Sequence, residues 1–141
     1  MKKKSILLLG LLMLLLAAAC SQPKPFPETP EGRRAIDDVI AELPDRYPGF
    51  IVFTANVYNS SDRQLRIAIR FEGEKTPPPA ERQKLIDDLL TDIASKAQKP
   101  DWKPLFTNVE IQVVALSRDE NNTDTEIRLA TKEKNSDQLD F

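Results

Sequence analysis

The chain reads as an α+β protein in the order αββαββ, with a four-stranded antiparallel sheet and two helices packed on one face. Three observations predict this. Two segments, 36–43 and 85–97, carry apolar residues at helical spacing. Segments 50–58, 63–71, 107–116 and 125–129 are β-branched, aromatic or strictly alternating. The eleven prolines punctuate the chain and are read as element boundaries.

The elements follow in order. Thr29-Pro30 supplies an N-cap and a proline suited to the first helical position. Ile36, Val39, Ile40 and Leu43 then recur at i, i+3, i+4 and i+7, one apolar stripe, and Pro44 is read as the stop. Asp45 to Gly49 turns the chain into a strand over Phe50–Tyr58. Asn59-Ser60-Ser61-Asp62 is turn chemistry. The next strand, Arg63–Phe71, places Leu65, Ile67, Ile69 and Phe71 on one face and Arg66, Ala68 and Arg70 on the other, so the pair forms a hairpin with one wet face. Thr76 to Pro79 opens a second helix that runs to Gln98, with Leu85, Ile86, Leu89, Leu90, Ile93 and Ala97 as its core face. A third strand covers Thr107–Leu116, with Val109, Ile111 and Val113 inward, and Thr125, Ile127 and Leu129 mark a shorter fourth. The domain is therefore expected over 32–131, followed by a polar, frayed tail over 132–141. Segment 36–43 parallels 86–93, and each leads into a loop and a hairpin, which leaves open a tandem duplication of an αββ unit.

Residues 1–19 have the layout of an export leader. Lys2, Lys3 and Lys4 are basic, Ile6 to Leu16 is apolar apart from Gly10, and Ala17, Ala18 and Ala19 are small. The apolar stretch is too short to span a hydrocarbon core of roughly 30 Å as a helix. Leu16-Ala17-Ala18-Ala19-Cys20 resembles the lipobox of bacterial lipoproteins, with Ala17 where that motif favours Leu and Leu16 one place earlier. The resemblance implies cleavage before Cys20, lipid on the Cys20 thiol and attachment to a cell-envelope membrane. In a host with two membranes, Ser21 after the cysteine is similar to outer-membrane sorting; otherwise the site is the outer face of the plasma membrane. Residues 20–31 then form a lipidated, proline-rich tether. With Pro23, Pro25, Pro27 and Pro30 it favours extended polyproline II, which rises about 3.1 Å per residue.

Composition narrows the chemistry. Without Lys2, Lys3 and Lys4, the 20 basic residues fall to 17 against 22 acidic ones, a net charge of −5. Nucleic acid, which needs a basic surface, is not an expected partner. The chain has no histidine and one cysteine, so Ser–His–Asp and Cys–His sites and an internal disulfide are impossible. No glycine-rich phosphate loop is present. No enzyme activity, cofactor or metal is expected. The adjacent acids Asp37-Asp38 and Asp87-Asp88 point about 100° apart on a helix and read as solvated surface. The oxygen-rich loop Asp119–Asp124 reads as a hairpin turn, since it lacks the glycine and terminal Glu of an EF-hand.

Two groups are candidates for interaction. Arg66 and Arg70 lie on the open sheet face, with Arg63 and Arg128 nearby and Glu110 and Glu126 placed to pair across strands. Tyr47, Phe50, Trp102, Leu105 and Phe106 occupy loops entering strands and are expected at one end of the sheet. There they either close the edge of the core or protrude as a docking patch. The element order resembles the assembly modules of secretion and sporulation machinery. The expected function is a membrane-anchored, non-enzymatic module that binds another envelope protein. The alternative is a binder of anionic cell-wall polymer or lipid headgroups through the arginine face.

Overall fold

A computed structural model of the chain describes residues 23–118, 121 and 123–141. Cys20 and the expected leader lie outside the described residues. Helix α1 (Pro30–Arg46) leads into strands β1 (Ile51–Asn59) and β2 (Gln64–Phe71). Helix α2 (Pro79–Lys96) follows, then strands β3 (Glu110–Arg118) and β4 (Asp124–Lys132). The four strands form one sheet in the order β1-β2-β3-β4, and both helices cover one of its faces.

The αββαββ order and the layer arrangement are as the sequence predicts. The strand directions differ. β1–β2 and β3–β4 are antiparallel hairpins, but β2 and β3 are parallel, with Gln64 beside Glu110 and Ile69 beside Ala115. The sheet is therefore mixed. The cause is the long return through α2, which carries the chain back along the sheet before β3 begins, as a parallel crossover requires. This geometry also argues against a repeated unit. Viewed from the helix face with β1 pointing up, β2 lies on one side; with β3 pointing up, β4 lies on the other. The two αββ halves have opposite handedness and do not superpose.

The core lies between the helices and the sheet. Ile36, Val39, Ile40 and Leu43 of α1 and Ile86, Leu89, Leu90 and Ile93 of α2 are buried against Leu65, Ile67, Ile69, Phe71, Ile111 and Val113. Each such side chain stabilises the fold by about 1.5–3 kcal/mol relative to exposure. At the seam between the helices, Arg46 pairs with Asp92 at 2.7 Å and Lys96 with Glu42 at 2.8 Å.

Pro44 does not end α1, which continues to Arg46. Proline has no N–H to give the carbonyl of Ile40 four residues back. The Thr54 hydroxyl of β1 donates to that carbonyl instead, at 2.7 Å. The helix keeps its last turn because the sheet supplies the missing donor.

Both ends of the domain are more ordered than the sequence reading expects. From Phe26 the supposed tether is folded. Phe26–Glu28 forms a 3-10 turn, and Phe26 meets Phe106 edge-on with ring centroids 5.4 Å apart. Proline dihedrals suit the entry of a helical turn as well as polyproline II, and the apolar partner decides between them. At the other end the tail folds back. Thr131 and Asp140 exchange two backbone hydrogen bonds of 2.8 Å, and Leu139 packs on the core. Lys132 belongs to the interior rather than to a polar tail. Its Nζ donates to the carbonyls of Phe106 at 2.7 Å, Val109 at 3.0 Å and Glu133 at 3.0 Å. Burial pushes its amine below the usual lysine range, opposed by Asp137 and Glu133.

Candidate functional site: the open sheet face

One face of the sheet is bare of helices. Residues opposite one another across the strands fall into rows on it. Val57, Arg66, Gln112 and Thr131 form one row, and Ala55, Ala68, Val114 and Arg128 the next. Phe53 stands opposite Arg70 in a third. The centre is small and apolar, and arginines flank it.

Arg66 and Arg70 are already engaged. Arg66 pairs with Glu126. Arg70 pairs with Asp124 at 3.1 Å and lies over the Phe53 ring, 5.7 Å from its centroid. Asp124 also accepts from Arg118 at 3.1 Å. Glu110 accepts from Gln64 at 2.9 Å and from Gln112 at 2.6 Å. The expected cross-strand pairing is present for Glu126 with Arg66, whereas Glu110, among the described residues, holds two glutamine amides and no arginine. Around Arg66 and Arg70 the charges are matched rather than a cationic field. Arg63 sits in the β1–β2 turn, with φ 48°. Arg128 is exposed beside Val114.

β1 inverts the usual pattern. Its helix-facing residues are polar: Thr54 donates to Ile40, Asn56 donates to Asp37 at 3.1 Å, and the Tyr58 hydroxyl donates to Glu28 at 3.2 Å. Burial, reinforced by Glu28, pushes the Tyr58 phenol up to about 12. Its apolar residues point outward, with Phe53 45% and Val57 65% exposed. The cause is a bulge at Val52. The register steps from Ile51 opposite Phe71 directly to Phe53 opposite Arg70. Without that extra residue, Ile51, Phe53, Ala55 and Val57 would share the buried face. The sequence reading did not single out Phe53 or Val57. The only available signal was the alternation of the strand, and it points to the wrong face.

The aromatic candidates are divided. Tyr47 and Phe50 lie where β1 begins, and Trp102 and Phe106 precede β3. Because β2 and β3 are parallel, these are opposite ends of the sheet, not one. Phe106 is fully buried and Trp102 is 7% exposed, so they are core and not a protruding patch. Tyr47 is half-buried, and Phe50 packs on Phe71 with centroids 5.3 Å apart. Tyr47 and Phe50 do line a small cavity with Leu85, Glu81, Lys84 and Asp88.

Among the described residues, no group of three His, Cys, Asp or Glu side chains is placed to hold a metal ion, and no helix is long and apolar enough to cross a membrane. Residues 119, 120 and 122 of the acidic loop lie outside the described residues. No family model, no curated protein and no solved structure matches the chain.

Proposed function

We propose that the chain is a membrane-anchored envelope lipoprotein whose domain binds another envelope protein and catalyses no reaction. The observation that carries the reading is the uncovered sheet face. It has a small apolar centre at Ala55, Ala68 and Val114, exposed Phe53 and Val57, and a surround of matched ion pairs. Apolar residues with a paired polar surround suit a protein surface, where the centre supplies energy and the rim supplies fit. The same pairing disfavours the second reading. An anionic polymer would have to displace Glu126 from Arg66 and Asp124 from Arg70 before either could bind it.

The test is a photo-crosslinking residue placed at Ala68, on the open face, in the intact chain in its own cells. A control residue goes at Asp87, on an exposed surface of α2. A discrete envelope protein captured from position 68 and not from 87 supports the reading. Capture of cell-wall material, weakened by salt and lost in Arg66→Glu, supports the polymer reading in its place. For the anchor, Cys20→Ser is expected to release the protein from membranes, because thiol-linked acyl chains contribute about 0.8 kcal/mol per buried CH₂. A variant that stays bound and mature would refute lipidation.

A further inference from the structure

The two edges of the sheet are treated differently. β4 carries the exposed charges Asp124, Glu126 and Arg128, and the returning tail closes part of its free edge through Thr131 and Asp140. Charges and coverage of this kind stop strands from adding to one another. β1 has neither protection. Its nine residues, Ile51–Asn59, contain no charge and no proline. Among the described residues, no backbone group from Val52 to Tyr58 bonds to anything beyond the β1–β2 ladder. An uncharged, unpartnered edge of this length is a template for a further strand.

We propose that the further strand is β1 of a second copy of this chain, paired antiparallel about a two-fold axis at Ala55. The choice of occupant follows from the strand itself. Folding β1 onto its own reverse about Ala55 places Ala55 opposite Ala55 of the second copy. Phe53 then stands opposite Val57 of the second copy, and Thr54 opposite Asn56. The aromatic–β-branched pair forms twice on the open face, a combination that stabilises antiparallel strands. The polar pair forms twice on the helix face. The most exposed apolar side chain of the domain, Val57, is covered by the ring that the Val52 bulge turns outward. No charged residue of the strand itself meets its like in the seam, Asp37 on the helix side is held by Asn56, and Arg66 and Arg70, one strand away, are neutralised by Glu126 and Asp124. A two-fold isologous contact is also the commonest symmetry of soluble oligomers. The result is one continuous eight-stranded sheet with a single open face. The inference shares Phe53 and Val57 with the open face of the proposed function, and the two are told apart by their readouts, capture from Ala68 and self-association through β1.

The experiment is sedimentation of the intact chain over a wide concentration range, in detergent if it partitions with membranes. Two double variants are compared with it. Phe53→Lys with Val57→Lys sets lysine against lysine across the seam. Phe53→Lys with Val57→Glu sets lysine against glutamate. Both positions are exposed, and an unchanged thermal midpoint shows that each variant is folded. The expected result is a reversible dimer whose dissociation constant rises at least about tenfold in the lysine–lysine variant and recovers in the lysine–glutamate variant. As a second measurement, amide exchange in β1 slows as concentration rises. A chain that stays monomeric throughout overturns the proposal, as does association indifferent to both variants. So does a monomer whose β1 amides become protected only when a different protein's extended segment is added.

Discussion

Gly32 shows how tightly the entry to the domain is built. A Cβ at this position would lie 1.9 Å from the carbonyl oxygen of Phe26, far inside contact distance. The same carbonyl accepts the Thr29 hydroxyl at 2.7 Å, and that hydroxyl accepts the Gly32 N–H at 3.0 Å. Gly32→Ala must therefore push the 3-10 turn off α1 and pull Phe26 from Phe106. It is expected to destabilise by about 1–3 kcal/mol, as overpacking does, read as a lower midpoint in urea. A second prediction concerns Tyr58. Its phenol ionises near 12 in the folded chain against about 10 when unfolded. Between those values the folded state holds the proton that the unfolded state has lost. Stability from this group is therefore complete below pH 10 and falls as pH rises through 12. A denaturation series over that window should show a decline that is shallower in Tyr58→Phe. Equal slopes would mean that the Glu28 contact and burial do not hold the phenol.

At the scale of elements, most of the architecture was legible. Periodicity places both helices and all four strands, because each helix carries a full apolar stripe and β2 alternates without fault from Leu65 to Phe71. What local patterns could not reveal was supplied by tertiary partners. Pro44 reads as a stop because the sequence does not show that Thr54, ten residues on, replaces its missing donor. Residues 26–31 read as tether because the packing of Phe26 depends on Phe106, eighty residues away. β4 extends to Lys132 because its Nζ finds three carbonyls. The Pro44 case yields a third prediction. Thr54→Val keeps the shape of the side chain but removes the hydroxyl, which leaves the Ile40 carbonyl without a donor. The expected cost is about 1–3 kcal/mol, with fraying of the last turn of α1 in amide exchange around Leu43 to Tyr47. In a Pro44→Ala background the backbone N–H returns, so the cost of Thr54→Val should shrink. Equal costs in both backgrounds would show that the proline and the threonine are not coupled.

At the scale of the whole molecule, direction matters more than content. An antiparallel arrangement of the same four strands would have gathered Tyr47, Phe50, Trp102 and Phe106 at one end. The parallel β2–β3 seam separates them and leaves the open face and the two edges as the exposed features. The candidate arginines were legible from alternation alone, and so were their acidic partners. The outward turn of Phe53 and Val57 was not, since it depends on one bulged residue. The edges then differ in how they are kept from pairing, and this asymmetry can be tested from the protected side. Deleting residues 137–141 removes Asp140 from Thr131 and Leu139 from the core, while Lys132 and its three carbonyls remain. The chain should stay folded and lose about 1–2 kcal/mol, from one half-buried apolar side chain and two backbone bonds. The loss should be local to the end of β4, so its amides near Thr131 exchange faster while those of β2 keep their protection. Any new association of the truncated chain should be weak, because Glu126 and Arg128 still line that edge. Strong association after truncation would instead show that coverage by the tail, rather than charge, keeps β4 from pairing.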